Sequence, residues 1–127
     1  YTLLNADGFA FETEAQDSSK IDVIFKYVNK NFQNHISLDE IADEVSMTVP
    51  AFCRYFKNRT GKTAFQFIRE FRINKACQML INGEKNISQI CFDTGFNSLS
   101  SFNRVFKSLK HISATEYKSK YSTLSVY

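Results

Sequence analysis

The sequence predicts an all-α fold in which seven helices form two helix-turn-helix subdomains joined by a long linker helix. Apolar residues recur with the period of amphipathic helices from residue 18 onward, and no segment of residues 18–127 alternates apolar and polar residues as a strand does. A pattern of short helix, turn and longer helix also occurs twice. The 127 residues, 43% hydrophobic and 23% charged, suit one folded domain and exclude both a disordered chain and a large enzyme with a separate cofactor domain.

Charge and periodicity divide the chain near residue 20. Residues 1–19 lack a sustained period, so we expect them to be a linker left by a missing upstream domain, and residues 20–127 to be the folded domain. The first 17 residues hold four acids and no base, which leaves 16 bases against 9 acids, a net charge of +7, in residues 18–127. This balance favours a polyanionic partner, although many solvated surfaces are equally basic.

The first two helices are predicted from apolar stripes that follow capping residues. Ser18 or Ser19 is the expected N-cap of the first helix. Ser37 begins the second helix, and Glu40 stands three positions later to complete a capping box. The stripe of the first helix comprises Ile21, Ile24, Phe25, Val28 and Phe32, and that of the second comprises Leu38, Ile41, Ala42 and Val45.

The third and fourth helices are bounded by glycines. Thr48 is the expected N-cap of the third helix, Pro50 lies in its first turn where a missing N–H costs nothing, and Gly61 ends it. The linker helix is predicted over residues 63–82, before Gly83. Its apolar positions change face partway, which indicates contact with two separate bundles: first Ala64, Phe67, Ile68 and Phe71, then Ile73, Ala76, Cys77 and Leu80.

An internal repeat relates residues 20–61, the first predicted unit, to residues 86–121, the second. Leu38-x-x-Ile41-Ala42 recurs as Ile87-x-x-Ile90-Cys91 at an offset of 49, and Phe52-x-Arg54-x-Phe56-Lys57 recurs as Phe102-x-Arg104-x-Phe106-Lys107 at an offset of 50. The second copy therefore has one more residue between its two motifs, and this residue falls in the turn that carries Gly95. Each copy reads as a helix-turn-helix. Helices are expected over about residues 86–94, 98–110 and 113–121.

The second helix of each unit, about residues 48–60 and 98–110, has the features of a DNA reader. If the two phenylalanines of each helix are buried, the opposite face is free to enter a major groove. Arg54 and Arg104 could bond guanine, Asn103 suits adenine, and the apolar Val49, Pro50 and Leu99 could touch a thymine methyl. Phosphate could be contacted by the helix N-termini at Thr48 and Ser98 and by Lys57 and Lys107. The expected outward residues are Val49, Pro50, Cys53, Arg54 and Lys57 in the first unit, and Leu99, Ser100, Asn103, Arg104 and Lys107 in the second.

Each of these side chains also has an ordinary structural interpretation. Arg54 and Arg104 could instead pair with a carboxylate, and Lys57 and Lys107 could be solvated lysines. Cys53 could be a redox sensor, although a lone exposed thiol without flanking features is weak support for that role. We expect Arg72, inside the linker helix, to form a structural ion pair.

These motifs closely resemble the DNA-binding domain of the AraC/XylS family of bacterial transcription regulators over about residues 20–121. The resemblance implies two recognition helices in successive major grooves of one DNA face, about one helical turn apart. It places base readers at Pro50, Cys53 and Arg54 in the first unit and at Leu99, Ser100, Asn103 and Arg104 in the second. The motifs that carry it are Ile41-Ala42, Phe52-x-Arg54-x-Phe56-Lys57-x-x-x-Gly61, Phe67-Ile68-x-x-Phe71-Arg72-Ile73-x-x-Ala76, Ile87-x-x-Ile90-Cys91-x-x-x-Gly95-Phe96 and Ser101-Phe102-x-Arg104-x-Phe106-Lys107.

The resemblance also sets expectations about partners and departures. It implies double-stranded promoter DNA as ligand, RNA polymerase as a further partner, an upstream effector domain, and a cytoplasmic, nucleoid-associated protein. No cofactor, metal or membrane is expected. The family usually has Gly, Pro and Arg where this chain has His111, Ala114 and Lys118, so we expect a costlier left-handed turn at His111 and only local changes.

Three other function classes fit the sequence less well than DNA binding does. An enzyme is disfavoured because the chain lacks GxSxG, HExxH, Walker and dinucleotide motifs. An RNA binder would need aromatic rings on an open surface, whereas most aromatics here fall on buried stripes. The main alternative is a protein-interaction module that keeps the fold but has lost specific DNA binding.

Overall fold

A computed structural model describes the backbone of residues 8–83 and 85–122, and side chains within these ranges from residue 19 onward. These residues form seven helices with no strand, as predicted. Turns of four and five residues separate α2 from α3 and α5 from α6, so the second turn has the extra residue, as the repeat offsets predict. The helices are α1 (Gly8–Asn31), α2 (Leu38–Glu44), α3 (Val49–Thr60), α4 (Ala64–Asn82), α5 (Ile87–Asp93), α6 (Leu99–Lys110) and α7 (Ala114–Tyr121).

The start of α1 differs from the prediction. The helix begins at Gly8 rather than after a cap at Ser18 or Ser19, so the part of the expected linker that the structure describes is helical. Residues 8–18 have no apolar stripe comparable with the one that begins at Ile21, and periodicity alone therefore gave no sign of a helix there. The assignment of residues 1–19 to a missing upstream domain stays a prediction, and residues 1–7 lie outside the described residues.

The predicted caps of the later helices are confirmed. The Ser37 hydroxyl accepts a hydrogen bond from the Glu40 amide, and the Glu40 carboxylate accepts one from the Ser37 amide at 2.8 Å. These bonds, chiefly that with the Ser37 amide, hold the pKa of the Glu40 carboxyl below its usual value. Thr63 and Gln66 form the same reciprocal pair at the start of α4. Local sequence thus determines where these helices begin.

Two separate hydrophobic cores lie on opposite halves of α4, as its change of apolar face predicts. The first core includes Ile24, Phe52 and Ile68, and the second includes Ile73, Leu80 and Phe106. Between Ile68 and Ile73 the buried face of α4 passes from one core to the other. The fold is therefore two small bundles that share one helix.

The role expected for Arg72 needs correction. Its guanidinium donates hydrogen bonds to the backbone carbonyls of Phe32 at 3.0 Å and Asn34 at 2.9 Å, rather than pairing with a carboxylate. Carbonyls at and just after the end of a helix have no partner within the helix, and a guanidinium supplies several donors. Burial lowers the pKa of Arg72.

Candidate nucleic-acid interface

The repeated phenylalanines set the orientation of both recognition helices, α3 and α6. Phe52 and Phe56 are fully buried with ring centroids 5.8 Å apart, and Phe102 and Phe106 are fully buried with centroids 5.7 Å apart. Because each pair lies on one side of its helix, the other side faces away from the core. The two units therefore present equivalent helix faces to the outside.

The N-terminus of each recognition helix is capped by an exposed hydroxyl residue. Thr48 Oγ1 accepts from the amide of Ala51 at 3.3 Å, and Ser98 Oγ accepts from the amide of Ser101 at 3.2 Å. The other first-turn donors of a helix have no partner within the helix and carry its positive dipole end. Both ends are thus suited to a phosphate, and Pro50 removes one such donor in α3.

The second unit exposes every residue that the sequence assigned to base reading. Leu99, Ser100, Asn103 and Arg104 are all exposed on α6, and Lys107 follows on the same side. The guanidinium of Arg104 lies 3.5 Å from the hydroxyl of Ser101, one turn earlier. This weak contact leaves most of its five donors available to a ligand.

The first unit exposes fewer residues than predicted. Pro50, Arg54 and Lys57 are exposed, but Val49 and Cys53 are half-buried and pack against the first core, so the expectation that they face outward is partly wrong. Each lies three positions before a buried phenylalanine and therefore flanks the apolar stripe. A small apolar side chain at that position folds onto the core, which leaves Arg54 as the main long donor of α3.

Both recognition helices are strongly basic. Neither contains an acidic residue. Among the side chains described, neither Arg54 nor Arg104 has a carboxylate partner. Lys107 lies near Glu116 of α7, and its charge contributes, after the hydrogen bonds from Ser113, to the lowered pKa of that carboxyl. The three bases of each helix are Arg54, Lys57 and Arg59 in α3, and Arg104, Lys107 and Lys110 in α6.

Two polar residues of α4 that the sequence did not predict as part of the site lie beside the second recognition helix. Gln66 and Arg69 line an open cavity of about 390 Å³ whose opposite wall includes Arg104. Both side chains are exposed. Their positions on the linker helix have no counterpart in the repeat, so comparison of the two units could not reveal them. Their spacing of three residues on one exposed helix face was the available signal.

Other kinds of site have little support in the described residues. No group of three or more His, Cys, Asp or Glu side chains there could hold a metal ion. Cys53, Cys77 and Cys91 are free thiols, two of them buried. Within the ranges that the structure describes, no helix has the length and apolar character needed to cross a bilayer.

Comparison with known proteins places the chain in a family. A family model described as a helix-turn-helix domain matches residues 41–120. The chain is 26% identical to the uncharacterized HTH-type transcriptional regulator YdeC of Bacillus subtilis over 91% of this chain and 40% of that protein. It is 30% identical to the HTH-type transcriptional activator RhaS of Mannheimia succiniciproducens over 75% of this chain and 35% of that protein. The chain thus spans well under half the length of these relatives.

A solved structure supports the same assignment. The fold matches a transcriptional regulator from Chromobacterium violaceum, described as an AraC-type DNA-binding domain-containing protein, with a TM-score of 0.78 and 26% identity over 86% of this chain and 97% of that one. The family match includes both recognition helices and the whole of α4. The chain therefore belongs to the AraC/XylS family of helix-turn-helix proteins.

Proposed function

We propose that this chain binds double-stranded DNA in a sequence-specific manner as the DNA-binding part of a bacterial transcription regulator. The observation that carries the proposal is the equivalent exposure of Arg54 and Arg104 on the recognition helices of the two bundles, each without a carboxylate partner among the described side chains. An unpaired guanidinium on a basic helix face can bond guanine O6 and N7 together. The names of the relatives support the same function.

The two units contribute unequally in this proposal. The second reads bases through Leu99, Ser100, Asn103 and Arg104, with apolar contact from Leu99 and hydrogen bonds from the others. The first reads through Arg54 and the exposed ring of Pro50, and half-buried Val49 and Cys53 contribute at most methyl and thiol contacts at the rim. Thr48, Lys57, Ser98 and Lys107 hold the phosphate backbone and set the register.

The relatives also suggest partners other than DNA. We propose that an upstream effector domain and RNA polymerase are further partners, that the protein acts at the nucleoid in the cytoplasm, and that it performs no enzymatic reaction. The relatives are named as regulators and an activator, and they extend well beyond the matched region.

Selection of duplexes from a random DNA library tests the proposal. We expect an enriched motif with two half-sites about 10 to 11 base pairs apart, and binding at least ~1000-fold tighter than to scrambled DNA at the same salt concentration. One short half-site would mean that only one unit reads bases. If no motif is enriched and affinity collapses with salt for every sequence, specific binding is excluded and the interaction module becomes the better hypothesis.

A further inference from the structure

The relative orientation of the two units depends on few contacts besides α4. Among the described residues, the main packing between the first unit and the second passes through α4, which contacts α3 on one side and α5, α6 and α7 on the other. A single shared helix sets an approximate separation but permits each bundle to pivot about it. Any direct contact between the units therefore has a large effect on the position of α6 relative to α3.

One such contact joins Arg72, Phe32 and Gly95. Arg72 lies on α4 between the two cores, and it binds the carbonyl oxygens of Phe32 and Asn34, 40 and 38 residues earlier in the chain. The ring of Phe32 packs edge-on against Phe71, with centroids 5.5 Å apart. The segment after α1 is thus fastened to the middle of α4 by both polar and aromatic contacts.

The turn of the second unit packs against this same segment. Gly95 has a φ of 95°, and a Cβ built on it would lie 2.2 Å from the Phe32 carbonyl oxygen and 2.9 Å from Arg72 Nε. Backbone of the second unit therefore touches backbone of the first, beside the hydrogen bond that Arg72 makes. Only a glycine permits this approach, because any side chain would occupy the position of the carbonyl.

We propose that Arg72 and Gly95 are positioning residues that fix the setting of α6 relative to α3 and so determine the spacing between the two DNA half-sites. The inference rests on the proposed function. One inserted base pair rotates a half-site by about 34° and moves it by about 3.4 Å. A rigid junction cannot follow that change, whereas loosely joined units would tolerate several spacings.

The test compares three variants on duplexes that carry the selected half-sites at the selected spacing and with one base pair added or removed. Arg72→Ala removes the hydrogen bonds, and Gly95→Ala forces the units apart. Gly61→Ala is the matched control, since Gly61 is also left-handed at φ 79° but has no atom within 4 Å of a built Cβ. We expect wild type and Gly61→Ala to prefer the selected spacing at least about tenfold, and the other two variants less than about threefold. Unchanged spacing profiles in Arg72→Ala and Gly95→Ala would overturn the proposal.

A second measurement needs no DNA and so separates this inference from the proposed function. Spin labels at Asn58→Cys on α3 and Ser108→Cys on α6, with Cys53→Ser to remove the half-exposed thiol, report the distance between the recognition helices. We expect a broadened or shifted distance distribution in Arg72→Ala and Gly95→Ala but not in Gly61→Ala. If Gly95→Ala fails to fold, Arg72→Ala decides the question. Narrow, unshifted distances in Arg72→Ala would refute the junction even if DNA binding is specific, and an absent DNA motif would refute only the proposed function.

Discussion

His111 occupies in the second unit the backbone position that Gly61 occupies in the first. Both residues end a recognition helix in the left-handed conformation, with φ of 79° at Gly61 and 70° at His111. Their amides donate to the carbonyls of Lys57 and Lys107, in each case at 2.8 Å. The costlier turn that the sequence predicts at His111 is therefore present, and the second recognition helix ends with the geometry of the first despite a side chain that opposes it.

This equivalence predicts opposite effects of two substitutions. His111→Gly removes the strain of a Cβ in the left-handed region, partly offset by the greater freedom of glycine in the unfolded chain, so we expect a gain of about 0.5 to 1 kcal/mol in the free energy of unfolding. Gly61→Ala introduces the same strain and should cost about 1 kcal/mol. Urea denaturation of both variants measures these values. A loss of stability in His111→Gly would mean that its imidazole makes contacts that outweigh the strain.

Substitution of Arg54 or Arg104 is expected to weaken the preference for particular bases. Arg104→Ala should cost about 1 to 3 kcal/mol of binding to the selected duplex and relax the preference at one base pair, because a bidentate contact to guanine is lost. Arg54→Ala should do the same at one base pair of the other half-site. Binding to a panel of single-base substitutions measures this. If the Arg104 variant discriminates among the panel as wild type does, Arg104 does not read a base.

Substitution of Lys57 or Lys107 is expected to weaken binding to every DNA sequence rather than to change base preference. Each is exposed on the outer side of its helix, where it can reach phosphate but forms no fork for a base edge. Lys107→Ala should weaken binding to selected and scrambled DNA alike and reduce the slope of log affinity against log salt by about 1. Lys120→Ala, on α7, is the control that leaves the slope unchanged. A loss confined to the selected sequence would assign Lys107 to base reading instead.

The raised pKa of Tyr117 predicts that the fold loses stability at alkaline pH. Burial, followed by its hydrogen bond with the Cys77 side chain, raises the pKa of Tyr117 to about 12 from 10.0. The folded state thus favours the neutral phenol, and this stabilisation is complete below pH 10 and is lost as the pH rises through about 12. Tyr117→Phe should therefore show a shallower fall in thermal stability over this range than wild type. Tyr121→Phe should change the slope much less than Tyr117→Phe, because Tyr121 is the smallest of the causes that raise the pKa of Tyr117.

Nearly all of the helical architecture could be predicted from the sequence because its determinants are local. The hydrogen bonds between Ser37 and Glu40 and between Thr63 and Gln66 join residues three positions apart, and the stripes of α3 and α6 depend only on helical period. The start of α1 was the exception, since residues 8–18 carry no such local signal.

The candidate site was predicted less completely, because part of it depends on which side chains meet across the fold. The half-burial of Val49 and Cys53 requires a neighbouring core to pack against, and the proximity of Arg69 to Arg104 requires the packing of α6 on α4. A helical period indicates the direction in which a side chain points, but it does not indicate which residues that side chain contacts.

Six of the seven helix starts and the shared face of each phenylalanine pair follow from the amino-acid sequence alone, because caps and helical period involve residues within about one turn of each other. The repeat is visible in the order of the residues. The packed fold was needed to show that Arg72 binds carbonyls rather than a carboxylate and that Gly95 lies against Phe32. Those contacts join residues 40 and 63 positions apart in the chain, and no local pattern encodes the meeting of segments whose approach depends on the packing of both cores around α4.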